Sequence, residues 1–122
     1  MKTTSNQISK IPMTPAVFQI LLALSEQEMH GYGIMKAVHQ NSNGQVHMGP
    51  GTLYGSIKRM LADGLIEESG ERPDPGLDDE RRRYYRLTDL GRKAVSAEAA
   101  RMDILVRKAQ SLHLIPGTGR GS

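Results

Sequence analysis

The sequence predicts a mainly α-helical domain with a small β-hairpin: a winged helix-turn-helix followed by one extra C-terminal helix. Three observations lead to it. Four segments carry apolar residues at helical spacing. Two short segments of strand character, residues 65–68 and 81–88, flank a loop rich in Pro, Gly and Asp at 72–79. The order along the chain is helix, helix, short extended piece, helix, strand, loop, strand, helix, which is the order of a winged helix-turn-helix with a helix appended.

The first helix begins at Thr14, a hydroxyl suited to an N-cap, with Pro15 at the first helical position. Val17, Ile20, Leu21 and Leu24 then recur at i, i+3, i+4 and i+7 and form one buried stripe. A second helix is expected over 32–40, with Ile34, Met35 and Val38 apolar and the polar run 41–44 ending it. Residues 46–48 read as a short extended piece. In the third helix, opening at Pro50, Leu53, Ile57, Met60 and Leu61 share one side, and Gly64 is its natural C-cap. Thr88 caps a last helix that runs to about Leu112. The expected organisation is an N-terminal arm at 1–13, the winged domain at 14–88, the last helix at 89–114 and a flexible tail at 115–122.

With 122 residues the chain supports one core. It has no cysteine, which excludes a disulfide framework, a thiolate zinc site and a cysteine nucleophile. No apolar run approaches a membrane span, so a soluble, cytoplasmic protein that is not exported and binds no membrane is expected. His30, His39, His47 and His113 are scattered over different elements without an HExxH pair, and Gly31–Tyr32–Gly33 lacks a phosphate-loop pattern. Neither a catalytic site, nor a metal site, nor a cofactor is expected. Net charge is +3 and mild, but its distribution is informative. Residues 64–88 hold more acidic than basic side chains and yet contain the tightest basic cluster, Arg81, Arg82 and Arg83.

If the third helix turns its apolar stripe inward, Gly51, Thr52, Gly55, Ser56, Lys58, Arg59 and Ala62 lie outward, with Tyr54 at the edge. That face is slim and basic. Two helical glycines cost about 1 kcal/mol each relative to alanine, and close approach to base edges in a major groove would justify them. A solvated face explains the same residues equally well. On the second strand, alternation sets Arg83, Tyr85 and Leu87 on one side and Arg82, Tyr84 and Arg86 on the other. Leu87 marks the inner side, so Tyr85 is expected in the core and Tyr84 outward. The outward Arg82 and Tyr84, with Arg83, are candidate phosphate contacts at the base of the wing. Pairing of these arginines with Glu67, Glu68, Glu71, Asp78, Asp79 or Glu80 is the competing explanation.

In the last helix Val95, Met102, Leu105, Ala109 and Leu112 fall on alternating a and d heptad positions, interrupted by Glu98. A second set, Leu90, Ala94, Ala97 and Ile104, occupies another face. One face can pack on the domain while the other meets a second copy, so a homodimer is expected. Two recognition helices about 34 Å apart would then read a pseudo-palindromic operator in double-stranded DNA.

The segments "HGYGIMKAV", "GTLYGSIKRMLADGLI" and "RRRYYRLTDLGR", in this order and spacing, strongly resemble the PadR family of bacterial transcriptional regulators, over residue 14 to the end of the last helix. The resemblance implies a winged helix-turn-helix, a homodimer built through the C-terminal helix, and repression of nearby genes relieved by a ligand or signal. It places Thr52, Leu53 and Tyr54 at the start of the recognition helix and Tyr84, Tyr85, Leu87 and Thr88 at the close of the wing. Many members carry proline after the first of these tyrosines; Gly55 stands there in this chain, so no base preference is carried over. The single helix after the wing resembles the short branch of the family, without a separate effector domain. A small-molecule effector would fit between the first and last helices near Phe18 and the methionines, residues that ordinary core packing also explains. The other function class open to this fold is a winged helix used only for protein contacts; Lys58 and Arg59 on the outer face speak for DNA.

Overall fold

The computed structural model describes residues 13–73 and 81–116. Its elements are α1 (Pro15–Leu24), β1 (Met29–His30), α2 (Gly31–Asn41), α3 (Pro50–Ala62), β2 (Ile66–Pro73), β3 (Arg81–Leu87) and α4 (Asp89–Ser111). The expected N-terminal arm but for Met13, the acidic tip of the wing at 74–80 and the tail from 117 onward lie outside the described residues.

The caps behave as their chemistry dictates. The Thr14 hydroxyl accepts from the Val17 N–H at 3.1 Å, with Pro15 inside the first turn. α2 starts slightly earlier than expected because His30 serves as its N-cap, Nδ1 accepting from the Gly33 N–H at 3.0 Å. α3 ends in a Schellman motif: Gly64 adopts φ +76°, its N–H donates to the Leu61 carbonyl at 3.2 Å, and Leu65 N–H donates to the Met60 carbonyl at 2.9 Å. This turn delivers the chain directly into β2.

Two expectations about strands need correction. Residues 46–48 form no strand: the Ser42 hydroxyl and carbonyl hold the backbone there, accepting from Val46 and Gln45 N–H at 2.9 and 3.1 Å. The short strand is instead β1, ahead of α2, where Met29 pairs with Tyr85 and His30 with Tyr84. The sheet order is β1-β3-β2, so β3 is central and β1 covers the edge that the hairpin leaves open. β2 also runs past residue 68 to Pro73, through a bulge between Glu68 and Gly70. Its ladder continues where apolar alternation has stopped.

The core lies between α1, α2, α3 and the inner face of the sheet, with Ile20, Leu21, Ile34, Val38, Leu53 and Leu65 sealed from solvent. The first turns of α4 close it through Ala94 and Val95. The junction from wing to α4 is tightly built. Thr88 N–H donates to the Leu65 carbonyl at 3.1 Å, and the Thr88 hydroxyl donates to the Gly64 carbonyl at 2.6 Å while accepting from Gly91 N–H at 3.0 Å. A Cβ on Gly91 would overlap the Leu65 carbonyl oxygen and stand 2.9 Å from its carbonyl carbon. Gly91→Ala therefore sets about 1 kcal/mol of improved helix propensity against overpacking of about 1–3 kcal/mol or more on backbone that has nowhere to move. A lower urea midpoint is expected. An unchanged midpoint would show that α4 can slide off Leu65 freely.

Candidate nucleic-acid interface

The inward side of α3 is fixed by Leu53, Ile57 and Met60, which are 0%, 2% and 1% exposed. Helical geometry then turns Gly51, Thr52, Gly55, Lys58, Arg59 and Ala62 to solvent, and Ser56 is half-buried beside them. Among the described residues, no atom lies within 4 Å of where a Cβ on Gly51 or Gly55 would stand. The fold does not demand glycine at either position. What the two glycines do is strip the first two turns of α3 to bare backbone, beside which stand Thr52, Lys58 and Arg59.

Tyr54 is tied down more than the sequence suggests. Its ring is 49% exposed, but its hydroxyl end occupies the space over Gly31, where a Cβ would come within 2.8 Å of Cζ. It fills the space between α3 and the start of α2, so Gly31→Ala would require the half-exposed ring to swing aside.

On the wing, Tyr85 is 5% exposed and in the core, and Leu87 packs against the same core. Burial pushes the Tyr85 phenol above its ordinary range, with the Arg83 guanidinium pulling the other way. Arg83 lies 3.7 Å from both Glu68 and Glu71, and Arg86 donates through Nε to Glu67 at 2.7 Å. Cross-strand pairing thus accounts for these two arginines, Arg83 among the candidate DNA contacts. Solvent screens exposed pairs of this kind, so they contribute little to stability and leave the guanidinium open to exchange. Arg82 has a different setting, its guanidinium 5.5 Å from the ring centre of Tyr32 on α2. Tyr84 meets His30 edge-on at 5.2 Å. The sequence reading does not place Tyr32, Lys36 and His30 beside the wing, because only the β1–β3 pairing brings them there. The i, i+4 spacing of Tyr32 and Lys36 was the available signal.

The histidines have structural settings. His39 and His47 lie ring against ring at 4.4 Å, and His113 takes φ +62° to close α4. Among the described residues no group of three or more His, Cys, Asp or Glu is placed to hold a metal ion. A cavity of about 320 Å³ opens beside His39, His47, Met35 and Met48, and one of about 170 Å³ lies between Ala16, Val46, Met48 and Thr52. Both flank the α2–α3 connection, away from the expected position between the first and last helices, where Phe18 packs against the core.

α4 divides into two halves. Leu90, Ala94, Val95 and Ala97 pack on the domain, so Val95, read from the heptad as a seam residue, belongs to this chain's own core at 6% exposure. From residue 99 to 116 every residue is exposed except the partly covered Ala109. Met102, Leu105 and Leu112 stand on this projecting half, with Leu105 69% exposed.

Residues 20–97 match the family model described as "Transcriptional regulator PadR-like family". The chain is 32% identical over 89 residues to Transcriptional regulator Rv3488 of Mycobacterium tuberculosis, covering 73% of this chain and 77% of that protein. It is 35% identical over 83 residues to an uncharacterized 37.1 kDa protein in transposon TN4556 of Streptomyces fradiae, covering 68% of this chain but 21% of that protein's length. The fold is similar to a PadR family transcription regulator from Clostridium difficile, with a TM-score of 0.67 at 21% identity over 81% of this chain and 98% of that one. It is also similar to Bacillus subtilis PadR in complex with operator DNA, with a TM-score of 0.62 at 20% identity over 72% of this chain and 48% of that one.

Proposed function

We propose, on the premise that this chain belongs to the PadR-like family of transcriptional regulators, that it binds a pseudo-palindromic operator in double-stranded DNA as a homodimer and represses transcription until a ligand or signal releases it. The family is one of transcriptional regulators and not of enzymes. The observation that carries the reading is the outer face of α3: two glycines that nothing in the fold requires, next to Thr52, Lys58 and Arg59. A protein-docking wing would be expected to carry apolar residues there. The operator complex of Bacillus subtilis PadR supports the same use of the same fold.

Dimerisation is supported by the projecting half of α4. Roughly three turns of helix without tertiary support are marginal in water, and their apolar residues are those that a second copy would cover. We assign the seam to Met102, Leu105, Ala109 and Leu112, without Val95. Residues 14–88 then form the DNA-binding unit, and the rest of the chain through 114 the dimerisation helix. An effector would act by shifting the spacing of the two α3 helices. No helix among the described residues is long and apolar enough to cross a membrane; a cytoplasmic place follows from DNA as target.

The helix and the wing are separable by experiment. A phosphate contact contributes alike on any sequence and appears in the salt dependence, whereas a base contact discriminates by about 1–3 kcal/mol. Arg82→Ala is expected to weaken binding to operator and random DNA equally and to reduce the salt slope by about one per contact, about two per dimer. Arg59→Ala is expected to lose more on operator than on random DNA, with Thr52→Ala following it. Salt titrations of each variant on both DNAs make the comparison. An Arg59→Ala protein with the full specificity ratio would remove α3 as the reading element.

A further inference from the structure

We infer that Met35 and His39 of α2, with His47 and Met48 of the connection to α3, form a binding site for a soft monovalent metal ion, Cu(I) in kind. The inference goes beyond the DNA-binding reading and does not rest on it. Met35 and His39 are four residues apart on α2 and so project from one side of it. His47 and Met48 reach the same place from the other end of the turn, and all four side chains line the cavity of about 320 Å³. The turn between them is anchored. Gly44 N–H donates to the His39 carbonyl at 2.7 Å, and Val46 N–H donates to the Ser42 hydroxyl at 2.9 Å.

The two imidazoles are the nucleus of the site. Their ring centres are 4.4 Å apart with planes at 38°. Among the described residues, no hydrogen bond or ion pair occupies a ring nitrogen of either one. Imidazole nitrogens bind a first-row ion such as zinc at about 2.0–2.1 Å, so two on one ion stand within about 4 Å of each other. Rings this close can present such a pair by small side-chain rotations. Counted with other His, Cys, Asp and Glu alone, the pair is too small a group to hold an ion. The thioethers of Met35 and Met48 bring the donors to four. A methionine side chain turns about three bonds, and His47 and Met48 also line the cavity of about 170 Å³, which leaves them space to adjust.

The donors select the ion. Imidazole and thioether are neutral and suit copper, thioether in particular suiting Cu(I), whereas hard divalent ions take carboxylate and other oxygen ligands. No carboxylate lines this cavity, and Tyr32 and Gln40 on its wall bring no negative charge. The chain has no cysteine to supply a thiolate. Lys36 is the charged side chain on the wall, its ammonium 5.6 Å from the ring centre of Tyr32. A divalent ion would set two positive charges beside that ammonium with no anion to offset them; a monovalent ion sets one. Bound there, the ion would tie α2 to the residue just before Gly49, the N-cap of α3.

The test uses the full chain without DNA, under anaerobic conditions, with Cu(I) alone as the probe in competition with a chromogenic Cu(I) chelator. The expected result is one tightly held Cu(I) per chain, with both nitrogen and sulfur neighbours in X-ray absorption at the copper edge. Met35→Leu keeps the side-chain volume and is expected to weaken Cu(I) by about tenfold or more, and a His39→Ala, His47→Ala double variant by about a hundredfold or more. Circular dichroism melts without metal check that the variants are folded. Zn(II) should bind far more weakly than Cu(I) and be indifferent to Met35→Leu. A wild type that leaves all the Cu(I) on the chelator overturns the site. So does a double histidine variant with wild-type affinity, which would put the copper on other methionines. Sulfur missing from the copper edge, or Zn(II) held as tightly as Cu(I), would show that the thioethers are not ligands and overturn the soft-ion assignment. Each of these failures leaves the DNA-binding reading where it stood.

Discussion

Replacing Tyr85 by alanine is expected to lower the stability of the fold by about 3–5 kcal/mol, the range for large aromatic truncations in a core. Tyr85 is the one core aromatic among the described residues, 5% exposed on the central strand, with Met29 opposite on one side and Glu68 on the other. The cavity left behind would lie between the sheet and the helices, and β1, only two residues long, would lose its packing partner. Tyr84 is one residue away and faces outward toward His30. Tyr84→Ala should therefore cost less stability than Tyr85→Ala, and more affinity for DNA. Thermal melts and binding isotherms of the two variants give a paired readout. Because a strand alternates its faces, a reversed pair of effects would mean that the register of β3 is shifted by one residue.

The parts of the fold legible in the sequence are those written in local chemistry. Thr14 and Thr88 cap helices, Gly64 takes the left-handed turn after α3, and the stripes from Val17 to Leu24 and from Leu53 to Met60 bury as their period requires. What escaped depends on distant pairing. A two-residue strand such as β1 has no period to detect, and its existence follows from the open edge of β3. Without β1, nothing in the sequence brings Tyr32 and Lys36 to Arg82, and Tyr54 reads as a free edge residue because its neighbour Gly31 is on another helix. The heptad of α4 misleads in a related way. Val95 and Met102 occupy equivalent positions, but the domain ends between them, so the first is core and the second is bare. A repeat in sequence reports a continuous apolar face and says nothing of where the support beneath it stops.

That bare half of α4 gives the other large effect expected. Leu105→Asp should leave the protomer folded, since Leu105 is 69% exposed in it and aspartate in a helix interior costs only about 0.7 kcal/mol or less relative to alanine. In a twofold seam the same change places two carboxylates against apolar surface, facing each other's helices. At a penalty of about 1–3 kcal/mol per buried unpaired polar group, and more for a charge, two copies weaken association by at least tenfold and by about a thousandfold at about 4 kcal/mol in total. A dimer of submicromolar affinity would become a monomer at micromolar concentration in sedimentation equilibrium. Operator binding should fall with it, because each α3 would then engage its half-site alone and forfeit the factor of about 10²–10⁴ that linkage of two sites provides. Circular dichroism should show the melting of the domain little changed, with some fraying of α4 as the projecting turns lose their cover. A Leu105→Asp protein that still sediments as a dimer would place the seam on another face of the molecule. If it sediments as a monomer yet binds operator with wild-type affinity, the two half-sites are read independently and the pseudo-palindrome is not required.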